Sequence, residues 1–178
     1  MNIWLKPIEL ADGQEFFDCL KELATYKDAY ARPVPEDFEL DEFDSFKNMR
    51  IKMATGIDLK PGIPRTNTYW VMDDSIPVGY ATLHHEVDPN KPGGHFGCCL
   101  KKDYQNKGLG NIVADLLSEI AYKELGLEEV IYTAKDENEQ SQRSIAHIGG
   151  ELIGVHNGYH FYKVNIKKKI EERGLKVW

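Results

Sequence analysis

Three cysteines in 178 residues, two of them adjacent (Cys98 and Cys99), are too few for a disulfide framework. No Cys-x-x-Cys and no His/Cys ligand spacing occurs either, so a metal site is not expected and a reducing, cytoplasmic setting is. No apolar run is long enough to span a bilayer, and the segment Met1 to Pro7 lacks the apolar core of a signal peptide. Basic residues are the minority, 22 against 29 acidic, for a net charge of −7. That balance excludes a general binder of nucleic acid or of an anionic membrane. The deficit is local: residues 1–45 carry twelve acidic and four basic side chains, net −8, so the other 133 residues carry about +1.

What is present is enough for one folded domain, with 42% hydrophobic and 11% aromatic residues. Alternation over residues 2–7 predicts a short strand. Asp12-Gly13-Gln14-Glu15 has the form of a capping box and predicts a helix to about Tyr26, burying Phe16, Phe17, Leu20 and Leu23. Residues 28–35, with two prolines, read as a loop, and residues 43–54 as a second helix. Three strands follow, at residues 68–72, 78–87 and 95–101, in a meander. Leu109, Ile112, Val113, Leu116, Leu117, Ile120 and Ala121 recur with helical period, and Gly126 ends that helix. A strand at 130–134, a helix at 138–148 and a hairpin about Asn157-Gly158 complete the chain. The order is βααβββαβαββ. Three consecutive strands without crossover helices exclude a Rossmann alternation and predict an α+β fold.

The run that carries chemistry is Cys98 to Asn111, where a strand ends, a loop holds Gly108 and Gly110, and the strongest helix begins. Amides at such a junction point outward, the helix dipole adds to them, and glycine lets an anion approach the backbone. Lys101, Lys102 and Lys107 surround the loop. These features describe a pyrophosphate cradle; the same residues also fit a plain helix start with solvated lysines. Val113 stands where a dinucleotide fingerprint needs a third Gly or Ala, and no Gly-Lys is followed by Ser or Thr as a Walker loop requires.

Gln105-Asn106-Lys107-Gly108-Leu109-Gly110 resembles the Gln/Arg-x-x-Gly-x-Gly/Ala signature of the GCN5-related N-acetyltransferase (GNAT) superfamily. Asn138-x-x-Ser141, entering a helix that ends Gly149-Gly150-Glu151, is similar to its second cofactor segment. Residues 79–86 and 94–97 resemble a subset of uncharacterised bacterial predicted acetyltransferases. The resemblance implies a GNAT-like fold: a central, mostly antiparallel sheet of six to seven strands with about four helices. It divides a single domain, 1–178, into an N-terminal strand and acceptor-side helices (1–65), a cofactor core (66–165) and a charged tail (166–178). It implies acetyl-CoA as cosubstrate, with backbone groups of Cys98, Cys99 and Leu100 along the pantetheine arm. Amides of Gln105, Asn106, Lys107, Gly108, Leu109 and Gly110 would hold the pyrophosphate, and Asn138 with Ser141 would contact the arm. By analogy a homodimer is expected.

Acetyl transfer from a thioester needs a neutral amine, and an amine of pKa about 10.4 is neutral only once in a few thousand molecules at pH 7. A base must therefore take its proton. His85 and His95 are the candidates, on the expectation that the meander sets them opposite each other, with Glu86 next. A polar cross-strand pair accounts for the same histidines. Many members of the superfamily have a tyrosine seven residues after the Asn as general acid; here that residue is Ile145, which leaves Tyr104, Tyr159 and His147 as alternatives or a CoA thiol leaving as thiolate. Cys98 and Cys99 invite an acyl-cysteine route or are small buried hydrophobes. Tyr159, His160 and Tyr162 line an acceptor pocket or simply pack. The excess acid in the first two helices favours a cationic amine on a small molecule or peptide. A CoA or acyl-CoA sensor of the same fold is the alternative reading.

Overall fold

The computed structural model describes residues 1–26 and 33–173. Its strands are β1 (Ile3–Pro7), β2 (Thr66–Asp73), β3 (Ile76–His84), β4 (Phe96–Leu100), β5 (Glu129–Lys135), β6 (Glu151–His156) and β7 (Tyr159–Asn165). Its helices are α1 (Gln14–Ala24), α2 (Phe43–Thr55), α3 (Leu109–Leu125), α4 (Glu139–His147) and α5 (Ile166–Glu172). The strands form two antiparallel sheets, β1-β2-β3-β4 and β5-β7-β6, where one central sheet was expected. Of the loop predicted at 28–35, residues 28–32 lie outside the described residues, as do residues 174–178 of the tail.

Strand β2 sorts its side chains onto two cores, as the alternation of a pleated strand requires. Trp70 and Met72 join the aromatic side built by α1 and α2, with Phe16, Phe17, Phe38, Phe43, Phe46 and Tyr80. Tyr69 and Val71 face α3, against Val113, Leu117 and Ala121. With both faces covered, β2 and β3 are buried almost throughout.

Three expectations are corrected. Asp12 does not cap α1: Gly13 is the N-cap and no side chain caps it. Asp12 instead accepts from Trp70 Nε1 (2.7 Å) and Glu9 N (2.8 Å) and pairs with Lys6. Strand β3 ends at His84, three residues before the predicted end, although His85 N–H still donates to Arg65 O (2.9 Å) in the register of Thr66 and His84. The segment expected only as a charged tail begins with α5, whose Ile166 and Ile170 are buried against α3 while Lys169 and Arg173 pair with Asp115.

Candidate active site

The two sheets meet at one place and separate beyond it. His95 N–H donates to Ile131 O (2.8 Å), and Ile131 N–H donates back to the His95 ring at Nδ1 (2.9 Å). Gly94 makes this contact fit: at φ +67° a Cβ would stand 2.6 Å from Ile131 O. Strand β4 is paired to β3 on one edge and to no strand on the other among the described residues. The result is a cleft between β4 and β5.

The loop leading into α3 lies at the C-terminal end of β4. Asn106 (φ +57°) and Gly108 (φ +76°) turn it through left-handed conformations. The amides of Asn106, Lys107, Gly108, Leu109 and Gly110 find no acceptor among the described residues, whereas Gln105 N–H and Asn111 N–H on either side are bonded within the loop. Nothing lies within 4 Å of where a Cβ would stand on Gly108 or Gly110. Five consecutive free donors, a helix N-terminus and open space above two glycines fit the diphosphate of CoA. Gln105 does not join the cradle through its side chain: its Nε2 donates to Leu100 O (2.7 Å) and ties the loop to β4. Gln140 Nε2 donates to Asn106 Oδ1 (2.7 Å), which links the loop to α4.

Asn138 caps α4 by accepting from Ser141 N–H (3.0 Å), which leaves its amide nitrogen as the group free to face a ligand. Ile145 is buried beneath Gly150. Cys98 is exposed and Cys99 is buried, and burial raises the Cys99 thiol to about 11, so that it stays protonated at neutral pH.

The histidines are arranged differently from the expectation. His84, not His85, pairs with His95: His84 N–H donates to His95 O (2.7 Å) and the register Leu83 to Phe96 continues through them. One residue of register flips the face, so His84 and His95 share the α1/α2 face and His85 lies on the other. Neighbours fix each tautomer. Ile131 N–H can only donate, so the His95 proton is on Nε2. The Thr66 hydroxyl lies 3.0 Å from Pro64 O and 2.9 Å from His84 Nδ1; its single proton goes to the carbonyl, so His84 carries its proton on Nδ1 and presents a bare Nε2. Asn67, oriented by the bond from Nδ2 to Tyr69 OH, accepts from His85 Nε2–H (2.9 Å). Glu86 is exposed beyond β3. Tyr104 OH donates to Asp73 (3.3 Å) at the far end of β2 from Thr66 and His84, about 23 Å away at roughly 3.3 Å per residue, so the fold does not bring Tyr104 to the histidines.

Burial lowers the pKa of all three histidines, and that of His95 to about 4. A depressed histidine contributes stability that is complete above its unfolded value near 6.5 and lost as pH falls toward the folded value. The urea midpoint is therefore expected to fall between pH 7 and pH 4, and less so in His95→Gln. An unchanged pH slope in that variant would show that the tie to Ile131 does not carry the effect.

An α+β fold of two sheets parted around a glycine-turned anion cradle is an architecture compatible with an acyltransferase. The sequence matches the Acetyltransferase (GNAT) domain family over residues 2–151, and the chain belongs to the GNAT family of acetyltransferases. Among solved structures it is similar to a probable acetyltransferase (16% identity, TM-score 0.69, covering 93% of this chain and 94% of that one). It is similar also to a spermidine N-acetyltransferase SpeG chimera from Vibrio cholerae and hSSAT (14%, TM-score 0.67, 96% and 99%). A third is the Campylobacter jejuni N-acetyltransferase PseH in complex with acetyl coenzyme A (12%, TM-score 0.61, 92% and 99%). At these identities the likeness is one of fold. No curated protein sequence matches the chain. No helix among the described residues is long and apolar enough to cross a membrane.

Proposed function

We propose that the chain is a cytoplasmic N-acetyltransferase, a single domain over residues 1–178, that moves an acetyl group from acetyl-CoA to a primary amine of a small molecule or peptide by direct attack in a ternary complex. The observation that carries this reading is the row of five unpaired amides, Asn106 to Gly110, at the cleft between the sheets. When bound there, acetyl-CoA supplies an activated thioester. Residues 106–110 hold the diphosphate, the open edge of β4 at Cys98 and Cys99 lies along the arm, and Asn138 contacts it from α4. His84 takes the proton of the attacking amine on its bare Nε2, a role the sequence had assigned to His85 or His95. The acidic side chains Asp41 and Glu42 line a cavity of about 470 Å3 with Phe38, Phe46 and Met49, on the α1/α2 side, and draw the ammonium form of the acceptor.

Release of free thiol from acetyl-CoA across an amine panel tests the reaction. A protein that binds acetyl-CoA and liberates no thiol with any amine would instead be a sensor, the reading that buried Ile145 favours by leaving α4 without a phenol. The cradle has its own test. Gly108→Ala adds a methyl where the protein has nothing and holds an L-residue at φ +76°. It is expected to weaken acetyl-CoA binding at least tenfold, about 1.4 kcal/mol, by isothermal titration. Unchanged affinity would remove the loop from the site. Edge strand β6 exposes Leu152, Ile153 and Val155, which supports a homodimer; sedimentation velocity checks it.

A further inference from the structure

Over the face of the first sheet that carries His84, Arg50 Nε on α2 is buried without a hydrogen-bond partner, and the buried hydroxyls of Tyr80 and Thr68 beneath it have no side-chain partner beyond each other. Thr68 and Tyr80 are only 5% and 3% exposed. An unpaired buried polar group is normally disfavoured, so Arg50 Nε, set beside two hydroxyls with no partner beyond each other, calls for an external one. Arg50 is unusual in a second respect. It forms no ion pair among the described residues, and its one hydrogen bond there is a long contact from Nη1 to Met53 Sδ (3.7 Å). Its guanidinium is held over two rings, 5.1 Å from the centre of Phe46 and 5.7 Å from that of Tyr80. Such stacking fixes the plane of the fork while leaving its edges for a planar acceptor. Phe46 also lines the acidic cavity, and the charge of Arg50 is felt at His84. A cationic fork, a hydroxyl pair and a histidine with a bare nitrogen thus occupy neighbouring positions on one face.

We infer that Arg50, with the hydroxyls of Tyr80 and Thr68, is a seat for a carboxylate of the acceptor, which makes the acceptor an amino acid or a peptide end carrying both an amine and a carboxylate. Guanidinium and carboxylate match as two parallel N–H···O bonds, and the Tyr80–Thr68 hydroxyl pair has one proton left to donate a further one. The seat holds the acceptor by the end that does not react, and Asp41 and Glu42 attract its ammonium group. The inference deepens the acetyl-transfer reading and rests on it for the placement of the amine at His84.

The experiment compares amino acids and dipeptides with their own carboxamides as acceptors, following thiol release from acetyl-CoA. The wild-type protein is expected to use the carboxylates at least tenfold more efficiently in kcat/KM. Arg50→Gln should bring the ratio below twofold with the Kd for acetyl-CoA unchanged, and Arg50→Lys, which keeps the charge and loses the fork, should also narrow it. A ratio near one in the wild type, or one that survives both substitutions, overturns the seat. A second readout is independent of turnover: the Nε–Hε resonance of Arg50, followed on adding N-acetylglycine or N-acetylglycinamide to the CoA-bound protein. A shift with the acid alone supports the seat; no shift with either, or equal shifts with both, overturns it. If no amine releases thiol while the acid still shifts the resonance, the transfer reading fails and the seat stands.

Discussion

Replacing Asp12 with alanine is expected to lower the unfolding free energy by about 3 kcal/mol, a large part of the roughly 5–15 kcal/mol of an ordinary domain. The carboxylate is buried and accepts from Trp70 Nε1, itself inaccessible to solvent, and from Glu9 N–H, while Lys6 pairs with its other oxygen. Removing it orphans a buried indole N–H, which costs about 1–3 kcal/mol, and abolishes a charge-assisted bond of about 1.5–3 kcal/mol, part of which Lys6 recovers by facing water. The neighbouring backbone is tied as well: buried Lys47 on α2 donates to Leu10 O and Asp12 O (both 2.8 Å). The turn before α1 thus fastens α1, α2 and β2 together. Urea unfolding followed by tryptophan fluorescence should show a lower midpoint with unchanged slope. Asp12→Asn, which retains an acceptor for Trp70, should lose less. A loss below about 1 kcal/mol in the alanine variant would mean that the aromatic packing around Trp70 holds this face unaided.

The same residue shows where sequence reading ends. Asp12 followed by Glu15 has the local form of a capping box, and only the fold reveals Trp70, 58 positions away, as the partner that takes the carboxylate. Long-range partners leave no periodic trace. Features fixed by neighbouring residues were legible: α3 spans Leu109–Leu125 as its apolar period and Gly126 required, and Asn157-Gly158 turns with both φ values positive (54° and 78°). The glycine loop was legible as a row of outward-facing backbone donors because their direction follows from a strand-to-helix junction. The histidines were not. Two adjacent histidines face opposite ways, and choosing between them needs the β3–β4 register, in which His84 and not His85 falls opposite His95. Helix α5 was hidden by three consecutive lysines around its two buried isoleucines.

His84→Ala is expected to lower kcat by about 10²–10⁴-fold, the usual worth of a positioned base, with the affinity for acetyl-CoA within twofold of wild type. The basis is the hydroxyl of Thr66: with its proton given to Pro64 O it accepts from Nδ1–H, and the lone pair is left on Nε2. Burial first, then the positive charge of Arg50, lowers the pKa of His84 from its ordinary 6.5, so the base form predominates at pH 7. The sign of the pH dependence follows. Activity governed by a base of depressed pKa is full above that value, and kcat/KM should fall on an acid limb centred below pH 6.5. The limb should vanish in whatever residual activity His84→Gln retains. Thr66→Val removes the acceptor for Nδ1–H, so the proton is free to move to Nε2; kcat should drop while KM for acetyl-CoA holds. Turnover within threefold of wild type in His84→Ala, with the acid limb intact, would move the base elsewhere. His85 would then be the next group to test, because its Nδ1 is left unprotonated by the bond from Nε2 to Asn67. His95 offers no such nitrogen, since its Nδ1 is committed to Ile131 and its Nε2 carries the proton.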